Sequence, residues 1–181
     1  AFGLPVIISS FFAQSMLTTI LVSLALNLLF AFVGGILAVR LVPRLGAWKM
    51  SVAGYACQCV ALLGLALIGR PEGGQEAALA IGMLALFLFG QGFGPGSHTM
   101  TFASLSYPTS LRGVGVGFNQ TLMRGSSTVS LFLFPVLVAA LGTGVFWVIF
   151  LAPLAGLLAL LAIRWEPSGY DVDAEDFELQ R

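Results

Sequence analysis

The sequence is short of charged residues. Only 9% of its 181 residues are Asp, Glu, Lys or Arg, whereas a soluble domain has about a quarter. No charge falls within residues 1–39, 50–69, 77–111, 113–123 or 125–163. Charge-poor apolar runs of 18 or more residues are typical of membrane-spanning helices. The shortage therefore excludes an ordinary soluble domain and predicts that the chain lies in a lipid bilayer.

Other shortages exclude further classes of function. The formal net charge is zero, so the concentrated Lys and Arg of a nucleic-acid binder is lacking. The two cysteines, Cys57 and Cys59, would point about 200° apart on one helix, which excludes a disulfide or a shared metal ion. Ser97 and the single histidine, His98, diverge by about 100° on a helix. With no Asp or Glu in the apolar runs, we expect no enzyme site, no metal and no cofactor.

The apolar runs predict an all-α membrane protein. One partial span, residues 1–13, is too short to cross about 30 Å of hydrocarbon. The predicted transmembrane domain covers residues 1–163, and its five full spans lie at about 16–39, 50–69, 77–105, 114–141 and 145–163. The chain starts at Ala1 with neither an initiating Met nor a charged segment. We therefore expect it to be a fragment of a longer protein.

The ends of the spans predict the orientation. Residues 164–181 contain six acidic residues and few apolar ones, which predicts a solvated acidic tail. Cytoplasmic loops are enriched in Lys and Arg. Six basic residues fall in the tail and two of the loops, against Arg70 alone in the other loops. This distribution predicts a multi-pass protein with a cytoplasmic C-terminus, and we expect it in the plasma (inner) membrane.

Several polar side chains lie within the predicted spans, where the surroundings offer no hydrogen-bond partner. Spacing places them on three helix faces: Thr19, Ser23, Asn27 and Gly34; Gln91, Pro95 and His98; Gln120, Arg124 and Ser127. Three polar faces on three helices favour a shared aqueous cavity. The alternative is that small and hydroxyl residues serve helix packing and bond to their own backbone. For Gln58 we expect packing or an interhelical hydrogen bond.

Arg124 is the most informative of these residues. It lies 12 residues beyond Arg112, which is about 18 Å along a helix and therefore near the middle of the bilayer. A charge there costs at least about 2.5–3.5 kcal/mol. We expect Arg124 to face a wet cavity and bind solute. The alternative is a structural pair with a carbonyl or an acidic group elsewhere in the protein.

Glycine and proline residues interrupt one of the predicted spans. Gly90, Gly92, Gly94 and Gly96 surround Pro95. This pattern predicts close contact between helices and a helix broken at the proline.

The order of the motifs resembles the C-terminal half of a major facilitator superfamily transporter, closest to the sugar-porter and metabolite:proton symporter branch. The resemblance rests on the basic loop 39–46, on Gly94-Pro95-Gly96, and on the turn Tyr107-Pro108-Thr109-Ser110-Leu111-Arg112-Gly113. It implies that the chain holds the end of helix seven and helices eight to twelve of a six-helix half. The N-terminal half of the transporter would then be missing.

The resemblance also implies roles for individual residues. Asn27 and Gln120 fall at solute-contacting positions of the family. Gln91, His98 and Arg124 complete the predicted solute-binding set on the ground of their polar positions within the spans, not of the resemblance. Arg40, Arg44 and Arg112 fall in the cytoplasmic loop motif that takes part in conformational change. Pro43 and Leu105 replace two acidic residues of that motif, and Met100 replaces a Trp. The mid-helix Arg124 is more similar to organic-acid symporters than to sugar facilitators.

These observations predict a secondary active transporter of a small polar metabolite, an organic acid or a sugar-like solute. Alternating access between two halves would move the solute, and protons would drive it. Its predicted partners are the lipid bilayer, the solute, protons and the missing N-terminal half. The alternative is a transporter-like sensor or assembly subunit, which a solute would stabilise without being transported.

Overall fold

The computed structural model describes residues 16–69 and 73–166, all of it helices, turns and short connections without a strand. The predicted all-α fold is therefore confirmed. The helices are α1 (Met16–Leu26), α2 (Phe32–Leu45), α3 (Ala47–Ile68), α4 (Gly74–Phe93), α5 (Pro95–Leu105), α6 (Arg112–Leu141) and α7 (Val145–Ile163). The predicted partial span 1–13 and the tail from residue 167 lie outside the described residues.

Four helical stretches of the described chain are long and apolar enough to cross a membrane: Ile20–Leu45, Ala47–Ile68, Gly74–Leu105 and Arg112–Ile163. The first joins α1 to α2 through a π-helical turn at Asn27–Ala31. The last holds two helices, because a short 3-10 turn at Gly142–Gly144 separates α6 from α7. The chain is thus built as a multi-pass helical membrane protein.

The break predicted at Pro95 is present. Helix α4 ends at Phe93, and Gly94 adopts φ −111° and ψ −108°, outside the helical region. Pro95 then occupies the first turn of α5, where its lack of an N–H group costs no helical hydrogen bond. The span is therefore two helices meeting at a glycine.

Glycines let the helices on both sides approach α4 closely. A methyl group at Gly34 of α2 would lie 2.7 Å from the carbonyl oxygen of Phe89. On the other side, a methyl group at Gly54 of α3 would lie 2.5 Å from the Cα atom of Gly94. Backbone contact of this kind drives helix association in lipid, where the hydrophobic effect is absent. Helix α4 is therefore held between α2 and α3.

Beyond these crossings, an apolar cluster joins α3, α4 and α7. Its largest fully buried members include Leu84 and Leu88 of α4 and Phe146 of α7. Helices α2, α3, α4 and α7 thus form one packed body.

Helix α6 stands apart from this body. Gly115 is the only buried residue among its 30. Apolar side chains such as Phe118, Phe132 and Val136 are 63–76% exposed. Most of this helix is therefore open to lipid or to a further helical partner.

Candidate functional site

Asn27 lies at the start of the π-helical turn. Its amide nitrogen donates to the backbone carbonyl of Ser23, 2.9 Å away, and its side chain is half-buried. This bond uses one donor, and the other polar positions of the amide make no bond to a described residue. A π turn within an α-helix frequently accompanies a functional site. Asn27 therefore keeps hydrogen-bonding capacity at an irregular point of its helix.

Gln91 links two helices. Its side-chain oxygen accepts a 2.7 Å hydrogen bond from Nε2 of Gln58, a residue of α3 that is only 4% exposed. The bond satisfies a buried amide within the bundle. It confirms the interhelical role expected for Gln58, and it leaves the Gln91 amide nitrogen for other partners.

His98 is buried in α5, at 4% exposure. A hydrogen bond joins its imidazole to the backbone of Phe93, and the Glu166 carboxylate interacts with it electrostatically. Its Nε2 atom has no hydrogen-bond partner among the described residues. Buried polar atoms normally have a partner. This nitrogen is therefore an open position for water, solute or a proton.

The hydroxyl groups of the two residues next to His98 form hydrogen bonds with backbone carbonyls. Ser97 donates to the carbonyl of Gly92, and Thr99 donates to the carbonyl of Pro95. Hydroxyl groups that bond to their own helix are a common arrangement in apolar surroundings. The imidazole is thus the open polar group at this point of the break.

Gln120 connects α6 to α5. Its amide nitrogen donates to the sulfur of Met100, the residue that stands where the resemblance places a Trp. Gln120 is half-buried. Thioether sulfur is a weak acceptor, so this contact holds the two helices together only weakly.

Arg124 is exposed on α6, one helical turn beyond Gln120. Its guanidinium group makes no hydrogen bond or ion pair with a described residue. The Ser127 and Thr128 hydroxyls donate to backbone carbonyls of the same helix, at 2.8 and 2.9 Å. Ser127 is therefore engaged with its own helix, as the packing alternative holds, whereas Arg124 remains available to a partner outside the described residues.

The five predicted solute contacts are only partly gathered. The π turn after Asn27 packs against the end of α4 that carries Gln91, because a methyl group at Gly92 would collide with the Ala31 carbonyl. Within residues 16–69 and 73–166, however, no hydrogen bond joins two of the five predicted contacts. Their convergence on one cavity stays a prediction.

The loop arginines differ in their environments. Arg40 and Arg44 are exposed on α2. Arg112 is half-buried, and its Nε atom lies 3.4 Å from the carbonyl oxygen of Tyr107. The Tyr107 ring occupies the space beside Gly115, where a methyl group would lie 2.5 Å from it. The motif 107–113 thus folds as a compact turn before α6.

Glu166 binds the start of α3. Its two carboxylate oxygens accept hydrogen bonds from the backbone N–H groups of Ala47 and Trp48, at 3.0 and 2.9 Å. The Trp48 indole donates to the carbonyl of Leu160 in α7, 2.8 Å away. A carboxylate at a helix N-terminus satisfies free donors and complements the helix dipole. Glu166, counted with the solvated tail in the sequence, is therefore a docked helix cap.

The cavities on the described surface include two that are lined partly by polar residues. One, of about 410 Å³, lies among α3, α5, α6 and α7 and is lined by Ser51, Tyr55, Thr99 and Asn119. The other, of about 680 Å³, lies among the end of α2, the start of α3 and the segment after α7. Five of the residues that line it are Arg44, Trp48, Lys49, Arg164 and Glu166. We call this second one the basic cavity.

Comparison with known families decides the class of the protein. Residues 4–164 match a family model described as "Sugar (and other) transporter". The chain belongs to this family. No individual curated protein matches it.

Membership of the sugar transporter family, within the major facilitator superfamily, indicates a membrane transporter of sugar-like solutes. The family is one of transporters and not of enzymes. No group of three or more His, Cys, Asp or Glu side chains placed to hold a metal ion occurs in the described part of the chain.

Some features of this sugar-family chain were missed from the sequence. The π turn at Asn27–Ala31 has no letter pattern that separates it from a regular helix. The Glu166 cap left a weak signal, because α3 starts after Gly46 without a Ser, Thr, Asp or Asn to cap it. An acidic residue three positions beyond α7 was a candidate for that role.

Proposed function

We propose that the chain forms one side of the solute pathway of a secondary active transporter. The solute is a small polar metabolite, an organic acid or a sugar-like molecule, held by Asn27, Gln91, His98, Gln120 and Arg124. Membership of the sugar transporter family supports this function. So does the hydrogen-bonding capacity that remains on these side chains.

The environment of Arg124 is the observation on which we choose between the two candidate solutes. Its guanidinium is exposed on a long apolar helix and has no partner among the described residues. The described carboxylates are Glu76, in the first turn of α4, and Glu166, at the start of α3. An unneutralised guanidinium at membrane depth favours a carboxylate or phosphate solute, which it binds with two parallel hydrogen bonds. We therefore favour the organic acid.

The proposed mechanism is alternating access, which needs an opposing half to close over the solute. The exposed surface of α6 supports this requirement, since a helix with one buried residue among 30 has room for a partner. The partner we propose is the N-terminal half of the same transporter.

Proton coupling is part of the proposal and rests on His98. It is the one histidine of the sequence, it is buried, and its Nε2 atom is open. When unperturbed, imidazole exchanges a proton near neutral pH more readily than any other side chain, which supports His98 as the group that carries the proton.

The proposed location is the plasma (inner) membrane, with the C-terminus in the cytoplasm. Arg40, Arg44 and Arg112 then belong to cytoplasmic loops, where they change partners as the two halves move. The distribution of Lys and Arg supports this orientation.

Transport assays test the proposal directly. The chain is reconstituted into lipid vesicles alone and together with its opposing half, and uptake of labelled organic acids and sugars is measured. We expect saturable uptake only when both halves are present. Uptake by the chain alone would overturn the two-half arrangement. Stabilisation by a solute without uptake, with both halves present, would favour a sensor.

Labelling of single cysteines tests the orientation. Cysteines are introduced at Gly73 and at Ser168 in a chain whose Cys57 and Cys59 are replaced by alanine. We expect an impermeant thiol reagent to reach the two positions from opposite sides of the membrane, with Ser168 on the cytoplasmic side. Labelling of both from one side would contradict the proposed topology.

A further inference from the structure

The basic cavity brings together three cationic side chains from separate elements. Arg44 lies in the last turn of α2, Lys49 in the first turn of α3, and Arg164 directly after α7. All three line the same space of about 680 Å³. Arg164 has φ 45°, the only positive value among the described non-glycine residues. This uncommon backbone conformation turns the chain back toward α3.

The carboxylate in this cavity is already compensated. Among residues 16–69 and 73–166, Glu166 is the acidic residue that lines it. Its two oxygens are bound to the backbone N–H groups of Ala47 and Trp48, at 3.0 and 2.9 Å. Its oxygens are held at the helix terminus, and the three cationic residues that line the cavity outnumber this one carboxylate. The cavity therefore keeps an excess of positive charge, which suits a further anion.

The position of the cavity relative to lipid limits the source of that anion. The helix ends at Leu45, Ala47 and Ile163 lie at the same end of helices apolar enough to span a membrane. Leu45 and Ile163 are 44% and 70% exposed beside the charges. Half-buried Trp48 lies there too, and tryptophan is enriched at membrane interfaces. Charges with apolar surface next to them match a molecule that has an anionic headgroup and acyl chains.

We propose that the basic cavity binds the phosphodiester headgroup of an anionic phospholipid from the leaflet at this end of the helices. Arg44 and Arg164 offer planar guanidinium groups that pair with two phosphate oxygens at once, and Lys49 adds a point charge. The acyl chains lie along the apolar surface at Leu45 and Ile163. Basic pockets between membrane helices are a recurrent form of lipid recognition.

Quenching of tryptophan fluorescence by brominated lipids tests the site, because Trp48 lines the cavity. Trp147, half exposed at the other end of α7, and Trp165, which directly follows Arg164, are first replaced by phenylalanine, so that Trp48 is the one tryptophan left of the three in the sequence. The chain is then placed in bilayers that contain either brominated phosphatidylglycerol or brominated phosphatidylcholine. We expect phosphatidylglycerol to quench at a lower mole fraction. Equal quenching by the two lipids would overturn the proposal.

Replacing the charged residues shows whether the preference for phosphatidylglycerol arises from the basic cavity. We expect Arg44→Gln, Lys49→Gln and Arg164→Gln each to reduce the preference for phosphatidylglycerol about fivefold, and the triple variant to abolish it. Arg40→Gln is the matched control, since Arg40 is also exposed near the end of α2 but does not line the cavity. An equal loss in Arg40→Gln would show a general surface charge effect and overturn the site.

Two further experiments distinguish binding of the lipid from binding of another anion. Inorganic phosphate in the buffer should leave the quenching unchanged, and displacement of the lipid by phosphate would point to a soluble anion instead. A chain truncated after Pro167 lacks the tail carboxylates. If the preference for phosphatidylglycerol appears only after truncation, the acidic tail fills the cavity and the proposal is overturned. A preference present in both chains supports the lipid.

Discussion

Helices α3 and α6 are both long and apolar and both contain glycine, yet they pack in opposite ways. Nine of the 22 residues of α3 are buried, against one of the 30 residues of α6. Gly54 of α3 touches the backbone of α4, whereas a methyl group at Gly113, Gly117 or Gly125 of α6 would meet no atom within 4 Å. Glycine in a membrane helix therefore marks close packing only where a partner helix is present.

The largest expected effect comes from filling the contact of α3 with α4. Gly54→Ala places a methyl group 2.5 Å from the Cα atom of Gly94, which forces the backbones apart. We expect a loss of about 1–3 kcal/mol of stability, measured as a lower melting temperature. Gly117→Ala is the matched control on α6 and should be neutral or stabilising, by up to about 1 kcal/mol. Equal melting temperatures would mean that α3 is not closely packed.

The second prediction concerns Arg124, which lies on the exposed helix α6. Arg124→Gln should lower uptake of an anionic solute at least about tenfold, because a charge-assisted hydrogen bond contributes about 1.5–3 kcal/mol. Arg124→Lys should lower it less. The melting temperature should not change, since Arg124 makes no hydrogen bond or ion pair with a described residue.

The alternative for Arg124 makes a different prediction. If it pairs with a carboxylate of the opposing half, Arg124→Gln lowers the stability of the assembled transporter, and removing that carboxylate as well restores it. Normal stability with normal solute affinity would contradict both roles.

The third prediction concerns the cap on α3. Glu166→Ala removes the acceptor for two backbone N–H groups and should cost about 0.5–2 kcal/mol. Glu166→Gln keeps one acceptor oxygen and should cost less. Thermal unfolding of both variants against Asp176→Asn, a tail change outside the described residues, checks this. An equal loss in all three would indicate a general effect of tail charge.

The smallest effect is expected from the side-chain links between helices. A double-mutant cycle of Gln58→Leu with Gln91→Leu should give a coupling of about 0.6 kcal/mol, the average for hydrogen bonds in membrane proteins. The same cycle for Gln120→Leu with Met100→Leu should give less, because sulfur is a weak acceptor. A larger coupling for the second pair would mean that α6 is held more firmly than its exposure indicates.

Much of the fold was predictable because the absence of charge and the presence of proline affect the secondary structure of the segment in which they occur. The apolar runs predicted helices, and Pro95 between glycines predicted the break after Phe93. The interhelical role of Gln58 followed from a polar amide in apolar surroundings. Each of these predictions used residues close together in the chain, although the partner of Gln58, Gln91, lies 33 positions away and was not predicted.

The features that were missed depend on distant partners. Glu166 lies 119 positions from Ala47, the residue whose N–H group it binds, and no local pattern encodes that distance. The gathering of Asn27, Gln91, His98, Gln120 and Arg124 around one solute also depends on how α6 sits against its partners. Sequence spacing fixes the face of a helix but not what faces it.

The π turn at Asn27–Ala31 has a consequence for comparing this chain with its relatives. Its hydrogen bonds span five residues instead of four, so the turn takes in one residue more than a regular helix does. Each residue rotates a helix by about 100°, and Gly34, which contacts α4, follows the turn. An alignment with a relative whose helix is regular must therefore open a one-residue gap within 27–31. Without the gap, every position assigned from Phe32 to Leu45 faces the wrong neighbour.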